Sequence, residues 1–514
     1  MNDEKDLLRT FRVPGAPPDP EALARGRHAL VRHIADRGHR PGRRQGRRVA
    51  WATAAATVAV LVLVNVVALV GIRRGADDTP SGQLSSLAPP GPASGDAASG
   101  DAASGVAAGP VQAGRPVCPD VTTPSGGGRD IWVAVDGDDS RTGATAAEAL
   151  ADPQEAVDRA RPGDRVLLSS GTYTSRRSAV VEIARDGAPG KAIVLTAAPG
   201  ARPVIRTGTE NWYAIRVTGS YVVVSGLTVQ GHRSATDLRT ATALVDENDA
   251  RTGGNGIVIG ADVDAERFPH DVVVRHNVVQ DLPGAGIAAQ RTGSVTIECN
   301  AVSGNAKLSP FGNSGISVTD SRSVAPGGDV IVVQRNVVHD NDSLVPRRGS
   351  GADPASRSVQ TGHGISCDGN EGSVWQGRLR VEDNLTYANG GAGINIRKCD
   401  RVRVRGNTSA RNVTRAGSTL AEVTVGESSD VELVDNLLAP ARPTRGISAP
   451  GPVTVGENVV ATDPGVFVDP QAGDYRPRCD GPAAGAAGEG LPRDLFGATR
   501  PADRAADAGA VESC

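Results

Sequence analysis

A short phrase of alternating apolar and polar residues recurs between residues 271 and 460. Each copy places Val, Ile, Leu or Ala at alternate positions, then an Asn, then further small or apolar residues. An alternation with a period of two is typical of a half-buried β-strand. The Asn residues that follow the strand phrases are Asn277, Asn300, Asn336, Asn384, Asn407, Asn436 and Asn458.

The spacing of these Asn residues indicates a stacked solenoid. The shortest intervals are 22 and 23 residues, and the longer ones carry inserted residues. One repeat of this length cannot bury its apolar face alone, so neighbouring repeats stack. An Asn at a turn tolerates left-handed backbone and can bond to the next coil, which predicts a ladder of stacked amides. The copies lack the leucine pattern of a leucine-rich repeat. We therefore predict an all-β fold, a right-handed parallel β-helix.

The first 72 residues have the pattern of a membrane anchor. Residues 1–49 become rich in Arg toward their end, and residues 50–72 contain no charged side chain. At a rise of about 1.5 Å per residue, such a segment spans a bilayer as a helix. The basic excess before the span predicts a cytoplasmic N-terminus. The long leading segment argues against the competing interpretation, a cleaved signal peptide.

Residues 73–117 are dominated by Gly, Ala, Ser, Pro and Asp, which predicts a flexible linker. Residues 118–514 then form the predicted β-helix domain, with a C-terminal cap, outside the cell. A net charge of −3 gives no support for nucleic-acid binding. We interpret the arginines before residue 50 as the positive-inside flank of the anchor. The expected protein is a single-pass, monomeric protein of the cell membrane.

The folded domain opens with a helix signal. Asp152 is a suitable N-cap, and Pro153 fits the first helical position. A helix of this kind seals the open apolar end of a β-helix, so we predict that it caps the first coil.

Several stretches resemble a known family. The opening DGDD, TG and PGDRVLLSSGTY between residues 136 and 173, together with the closing segment 463–512, resemble right-handed parallel β-helix proteins of the pectate-lyase-like superfamily. The central motifs at 309–317, 361–370 and 387–396 resemble those of its secreted bacterial members. Residues 7–30 resemble the cytoplasmic leader of actinobacterial membrane proteins. The resemblance implies the fold, and an activity among polysaccharide lyases, glycoside hydrolases or epimerases, or no activity.

Three inserted stretches interrupt the repeat, at 231–255, 304–314 and 340–363. The last two fall between the Asn turn and the following Gly-Ile strand, in adjacent coils. Because loops added to a solenoid emerge on one face, which is often the binding face, we expect these insertions on a shared side.

Alignment of the coils brings the chemistry-bearing residues together near the insertions. His339, Asp340, His363 and Asp368 fall in one coil, and Lys307 falls in its neighbour. Aligned on the Gly-Ile strand, Gln290, Thr319, Asp368 and Arg397 form one column. We predict a site on an acidic polysaccharide or cell-wall glycan, with these catalytic candidates: Lys307, His339, His363, Asp340 and Asp368.

A lyase for such a glycan needs a base and a cation that neutralises the substrate carboxylate. The resemblance implies a Lys or Arg base and a calcium ion held by Asp. We assign the base to Lys307 and the calcium ligands to Asp340, Asp342 and Asp368. The alternative is that these residues only shape turns: both histidines then bond to turn backbone and the carboxylates cap it.

The same residues are also compatible with two other functions. A glycoside hydrolase needs two carboxylates about 5–9.5 Å apart, which Asp340 and Asp368 could supply. A non-enzymatic stalk or glycan-binding module needs only a solvated polar face. The lyase and the hydrolase predict a groove with a converging acid and base, whereas the stalk predicts an evenly polar surface.

The even number of cysteines permits disulfides outside the cell. Cys479 and Cys514 bracket the C-terminal segment and could pair there. Cys367 falls at an inward position, where we expect a packed free thiol. The six residues are Cys118, Cys299, Cys367, Cys399, Cys479 and Cys514.

Overall fold

A computed structural model describes the folded domain. The described residues are 116, 127–262, 265–323, 329–349, 359, 362–415, 417–441, 446–488, 492–502 and 505–513. They all belong to the second of the two units into which the chain divides, Gly105–Cys514. The predicted segments 1–49 and 50–72 lie outside the described residues, as does the linker except for Pro116. Within the described residues, no helix has the length and apolar character needed to cross a membrane.

The domain is a solenoid of three parallel sheets, and each regular coil contributes one strand to sheet A, then one to sheet B and one to sheet C. In the described part of the chain, sheet A has eleven strands. They are β1 (Asp130–Val133), β2 (Arg165–Leu168), β5 (Ile193–Ala197), β8 (Val222–Ser225), β11 (Val272–Arg275), β14 (Val295–Glu298), β17 (Asp329–Gln334), β20 (Arg378–Glu382), β23 (Val402–Arg405), β26 (Val431–Val434) and β29 (Val453–Val455).

Sheets B and C repeat the same order of coils, so every strand pairs with the equivalent strand of the next coil. Sheet B is built from β3 (Gly171–Tyr173), β6 (Pro203–Arg206), β9 (Thr228–Gln230), β12 (Val278–Gln280), β15 (Ala301–Ser303), β18 (Val337–His339), β21 (Leu385–Tyr387), β24 (Thr408–Ala410), β27 (Leu437–Ala439) and β30 (Val459–Val460). Sheet C is built from β4 (Ala179–Ile183), β7 (Tyr213–Val217), β10 (Asn255–Gly260), β13 (Ile287–Gln290), β16 (Ile316–Thr319), β19 (Ile365–Asn370), β22 (Ile394–Cys399), β25 (Val423–Gly426) and β28 (Ile447–Ser448).

Few elements lie outside the three sheets in the described residues. The α-helices are α1 (Pro153–Arg159), α2 (Leu238–Ala243) and α3 (Ala250–Gly253). Short 3-10 turns occur at Ala146–Glu148, Arg233–Ala235, Gly372–Val374 and Pro464–Val466, and β31 (Phe467–Asp469) pairs antiparallel with β32 (Asp474–Pro477).

Alternate residues of each strand point into the solenoid and stack on their equivalents in neighbouring coils. One isoleucine column of sheet C shows this most clearly, because it continues through five coils with at most 1% exposure. Like side chains at one register position bury their apolar surface against each other. The column is Ile257, Ile287, Ile316, Ile365 and Ile394.

The predicted Asn ladder lies at the turn between sheets A and B and is confirmed. At a typical rung, the backbone N–H and Nδ2 of Asn300 both donate to Oδ1 of Asn336, each at 3.0 Å. Asn336 repeats the two bonds to Asn384. The seven predicted residues from Asn277 to Asn458 continue this pattern without a break.

A second amide ladder lies at the turn between sheets B and C. It runs through Asn305, Asn341, Asn389 and Asn412. Its last rung is a carboxylate instead of an amide, because Asn412 donates from its backbone N–H and its Nδ2 to Glu422. Burial raises the pKa of Glu422 to about 7, although these hydrogen bonds act to lower it.

Helix α1 confirms the predicted N-terminal cap. The side chain of Asp152 accepts a hydrogen bond from the backbone N–H of Gln154, and Pro153 occupies the first turn. The helix buries Ala156 and Val157 in the same apolar core as the first strands of sheets A and C. It therefore covers apolar surface at the start of the solenoid.

The second and third insertions meet on one side, as predicted, and the first insertion joins them there. Ala241 and Val245 from the first insertion, Leu308 from the second and Val345 from the third form a small apolar cluster, and all four are at most 4% exposed. Because this cluster is separate from the main core, the loops support each other rather than extending the coils.

The C-terminal segment lies along the outer face of sheet B. Leu437 and Leu385 on that face pack in one cluster with residues of the segment such as Phe467 and Val511. Arg500 ties the segment down, since its guanidinium bonds Oδ1 of Asp383 at 3.2 Å. The predicted cap thus covers the side of the last coils.

The expectation of a free thiol at Cys367 is wrong. Cys367 is disulfide-bonded to Cys399, which lies one coil further along sheet C. Cys367 does point into the solenoid, as predicted. Cys399 of the next coil also points inward, close enough for the two sulfur atoms to bond. Cys299 and Cys479 are also disulfide-bonded. The pairing of Cys479 with Cys514 stays a prediction.

We expect Asn336→Ala to lower the free energy of unfolding by about 3 kcal/mol, since it leaves buried donors and acceptors of two neighbouring coils without partners. The matched control is Asn458→Ala at the last rung, which is partly exposed, so water can replace its bonds. The thermal unfolding midpoints of the full chain carrying Asn336→Ala or Asn458→Ala measure the two effects. Equal shifts at the two positions would contradict a ladder that stabilises through its buried rungs.

Candidate functional site

An open groove of about 880 Å³ runs along the outer face of sheet C. Its floor is formed by strands β13, β16, β19 and β22. With strands about 4.8 Å apart, four coils give a floor about 14 Å long. One wall comes from the inserted loops, through Phe311 and Arg347.

Two columns of outward side chains form the floor. The second and fourth residues of each strand point away from the core, because the first and third are buried in it. The fourth-residue column is the one predicted from the sequence, and the strand register confirms it as Gln290, Thr319, Asp368 and Arg397. The second-residue column places Ser317, Ser366 and Asn395 beside it.

A third column directly follows the fourth-residue column, and its backbone is left-handed. Arg291 (φ 48°) and Asp320 (φ 50°) hold this conformation despite their side chains, and Gly369 (φ 76°) holds it in the next coil. A Cβ at Gly369 would lie 2.9 Å from Oδ1 of Asp320. The glycine therefore leaves room for this carboxylate at the edge of the groove.

The charges of the groove come from three arginines and two aspartates. Arg397 bridges two coils, with one guanidinium nitrogen 3.4 Å from Oδ2 of Asp368 and the other 3.2 Å from Oε1 of Glu427. Arg291 donates from Nε to the backbone oxygen of Ala261 at 3.0 Å. Guanidinium groups bind carboxylates in a planar fork, so this surface favours an anionic ligand.

His363 stands at the start of β19, where the groove meets the insertions. Its Nδ1 accepts a hydrogen bond from the backbone N–H of Ala392 at 3.0 Å. Burial lowers the pKa of His363 to about 4. The ring is therefore neutral at pH 7, with its proton on Nε2, and it can donate a hydrogen bond to a ligand in the groove. This hydrogen bond to turn backbone was the alternative predicted for His363 from the sequence, and it is present.

The other catalytic candidates lie elsewhere in the same two coils. Nδ1 of His339 is 2.7 Å from Oδ2 of Asp340 at the end of β18, in sheet B. The hydrogen bond from His339, and then the charges of His339 and Lys307, lower the pKa of Asp340. Lys307, His339 and Asp340 thus form one group, but none of them lines the groove. His363 and Asp368 are the two predicted catalytic residues that do.

The predicted calcium ligands do not come together. Asp342 forms an ion pair with Arg415, with 3.1 Å between Oδ1 and a guanidinium nitrogen. Burial raises the pKa of Asp342, although the charge of Arg415 opposes this shift. Asp368 pairs with Arg397 on sheet C, and Asp340 with His339. Among the residues that the structure describes, no three His, Cys, Asp or Glu side chains form a group that could hold a metal ion. Their arrangement does not fit the predicted calcium site.

The sequence did not single out Arg291, Asp320, Arg347 or Asn395 as site residues. Arg291 and Asp320 directly follow the predicted column, so the same alignment extended by one residue would have found them. Asn395 and Ser366 lie two residues before the column, on the same face of sheet C. Arg347 belongs to an insertion, and only the folded loop brings it to the groove.

The chain shares its coil pattern with a known family. The family model described as "Right handed beta helix region" matches residues 213–409. This range covers strands β7 to β24 and therefore the whole floor of the groove. The predicted fold, a right-handed parallel β-helix, is confirmed.

Solved structures with a similar chain path include three carbohydrate-active enzymes. The pectate lyase Pel9A shares 16% identity over 75% of this chain and 97% of its own, with a TM-score of 0.45. A lacto-N-biosidase from Eubacterium ramulus shares 15% over 65% and 68%, at 0.37. An alginate lyase from a Paenibacillus strain shares 15% over 63% and 99%, at 0.34. No curated protein matches the sequence. Similarities this distant assign no activity.

We expect His363 to make the domain less stable in acid. Its pKa is lowered on folding from 6.5 to about 4, so the unfolded chain binds the extra proton between these values. Stability is thus full above pH 6.5 and falls as the pH decreases toward 4. The slope approaches about 1.4 kcal/mol per pH unit. Urea unfolding of His363→Gln should show a smaller decrease between pH 7 and pH 5.

The control for this measurement is His270→Gln, since His270 is a half-exposed histidine at a turn beside Asp271. We expect the control to follow the unchanged protein. A His363→Gln protein with the same acid dependence as the unchanged protein would show that His363 is protonated to the same extent in both states.

Proposed function

We propose that the protein is a carbohydrate-active β-helix protein that binds an acidic polysaccharide along sheet C and cleaves it by β-elimination. The observation that carries the proposal is the groove itself. It presents the same outward positions in four successive coils, with guanidinium groups beside a carboxylate and a neutral imidazole. A linear polymer running along the solenoid axis would meet repeated polar groups at the spacing of the coils.

The charge balance supports an acidic ligand. At pH 7 the groove carries three guanidinium groups and two carboxylates, and His363 is neutral. In β-elimination, a proton leaves the carbon beside the substrate carboxylate, and the glycosidic oxygen leaves from the neighbouring carbon. A cation near that carboxylate stabilises the negative charge that develops.

Within this proposal, three side chains have distinct roles. Arg397 binds the substrate carboxylate, in exchange for part of its ion pair with Asp368. Asp368 then accepts the proton. His363 donates from Nε2 toward the glycosidic oxygen, since its Nδ1 is occupied by the N–H of Ala392. Lys307 has no part here because it does not line the groove.

A glycoside hydrolase is the second candidate. Asp320 and Asp368 line the same groove in adjacent coils, because Asp368 pairs with Thr319, the residue before Asp320. Two carboxylates facing one groove are what hydrolysis requires. This pair replaces the predicted pair of Asp340 and Asp368, whose members face different sides of the coil.

We expect Asp368→Asn to lower the rate of unsaturated-uronide release from an acidic polysaccharide by about 10²-fold, the usual size of a general-base contribution. Arg397→Gln should raise KM as well. The matched control is the pair Arg403 and Glu432 on sheet A, which also joins outward side chains of adjacent coils, at 3.1 Å. Arg403→Gln and Glu432→Gln should retain full activity.

The products separate the candidates. Unsaturated ends identify a lyase. New reducing ends that form without unsaturated ends, and that are lost in both Asp320→Asn and Asp368→Asn, identify a hydrolase. Absence of both products from acidic and neutral glycans, with the fold intact by circular dichroism, would refute both and leave the display stalk.

We also propose that residues 50–72 anchor the protein in the cell membrane, with residues 1–49 in the cytoplasm and the β-helix outside. The support is the uncharged run of 23 residues and its basic flank. The full chain should stay with membranes during alkaline extraction, whereas a chain lacking residues 1–72 should be released. Release of both chains would contradict the anchor.

A further inference from the structure

A second cleft lies on a different side of the solenoid, between the end of sheet B and the C-terminal segment. We call it the C-terminal cleft and define it by Tyr387, Arg411, Thr414, Gln471 and Tyr475. Its main part has a volume of about 760 Å³. A smaller chamber of about 310 Å³ adjoins it and shares Arg411 and Gln471. None of these residues lines the groove on sheet C.

The wall of the cleft is a stack of aromatic rings. The ring of Tyr387 lies parallel to His339 at 4.6 Å between centroids and faces Tyr475 at 4.5 Å on its other side. Phe467 meets Tyr475 edge-on at 5.2 Å. Since both faces of Tyr387 are covered, the stack offers the cleft its hydroxyl edges rather than a platform for stacking a sugar ring.

The hydroxyl of Tyr475 has no hydrogen-bond partner among the described residues, although the residue is only 4% exposed and lines the cleft. The hydroxyl oxygen itself is not among the buried atoms without a partner, so it is open to the cleft and can donate a hydrogen bond to a ligand there. Burial raises the pKa of Tyr475 to about 12, so its hydroxyl is a donor at pH 7.

Arg411 supplies the positive charge of the cleft. It follows β24 in left-handed backbone (φ 53°), is exposed, and forms no ion pair with a carboxylate among the described residues. The positive charge of Arg411 acts to lower the pKa of Tyr475, so the guanidinium and the phenol lie near each other. Three carboxylates are in the neighbourhood. Asp463 lines the smaller chamber, Asp340 acts on the two tyrosines but is bonded to His339, and Glu422 acts on Tyr475 but accepts hydrogen bonds from Asn412.

We propose that the C-terminal cleft is a second glycan-binding site, which takes a carboxylate-bearing sugar of an acidic oligosaccharide. The carboxylate binds Arg411, and the hydroxyls of Tyr475 and Tyr387 donate to the same sugar. A planar carboxylate matches the guanidinium fork. The volume of the cleft is that of an oligosaccharide site rather than of a single small anion. The site does not require the groove on sheet C to be catalytic.

Binding of an oligouronate to the full chain tests this proposal by calorimetric titration. All variants carry Arg397→Gln, which weakens the groove on sheet C, so that the C-terminal cleft is measured. We expect Arg411→Gln to weaken binding about tenfold or more, and Tyr475→Phe about fivefold. Arg401→Gln is the matched control, since Arg401 is in the same coil, also has left-handed backbone (φ 60°), and lies outside both cavities.

Two further ligands define what the cleft recognises. The methyl ester of the same oligouronate has lost its charges, and we expect it to bind at least about tenfold more weakly. Equal binding of the ester, or unchanged binding in Arg411→Gln, would overturn the proposal. Inorganic phosphate that binds as tightly as the oligouronate would show a simple anion site and would also overturn it. A wild-type protein without lyase or hydrolase activity would refute the proposed function but leave this binding result intact.

Discussion

The hydrogen-bonded amides at the turn between sheets A and B fix the register of the whole solenoid. Each Asn accepts two bonds from the previous rung and donates to backbone oxygens, as Asn336 does to Ile297 and Gln334. These groups are buried, so a coil displaced by one residue would leave them without partners. It would also turn every outward side chain inward. The stacking of the apolar columns and the columns of the groove depend on this constraint.

Because the register is fixed, one coil can present different chemistry on different sides. The coil of β17, β18 and β19 places His339 and Asp340 at the end of sheet B, but His363 and Asp368 on the side of sheet C. Residues close in sequence are thus separated by the thickness of the solenoid. Residues from separate coils, such as Asp368 and Arg397, become neighbours at 3.4 Å. The groove is a property of the stack rather than of any single repeat.

Buried charges fasten the C-terminal segment to the solenoid. Arg500 lies between Asp383 and Glu512, and all three side chains are at most 6% exposed. Burial raises the pKa of Asp383 to about 7, although the charge of Arg500 opposes this shift. A buried charge is tolerated only with a partner, so this contact specifies where the segment docks. Its position brings Tyr475 against Tyr387 and thereby creates the C-terminal cleft.

The sequence by itself determined the coil, because local periodicity encodes it. Alternating Val and Ile, the spaced Asn residues, and Asp152 followed by Pro153 were enough to predict the strands, the ladder and the capping helix. The column of Gln290, Thr319, Asp368 and Arg397, and the shared side of the insertions, also followed from counting residues per coil. These features depend on contacts whose spacing repeats along the chain.

Only the tertiary structure decided which of the candidate residues share a surface. Counting assigns a residue to a coil, but the direction of its side chain depends on how the turns between the sheets bend. For this reason Lys307 and Asp340 were placed with Asp368, and Cys367 was not paired with Cys399. The contribution of Arg347 from a loop, and of Tyr475 from the C-terminal segment, follows no repeat. Such contacts form between parts of the chain whose separation in sequence carries no periodic signal.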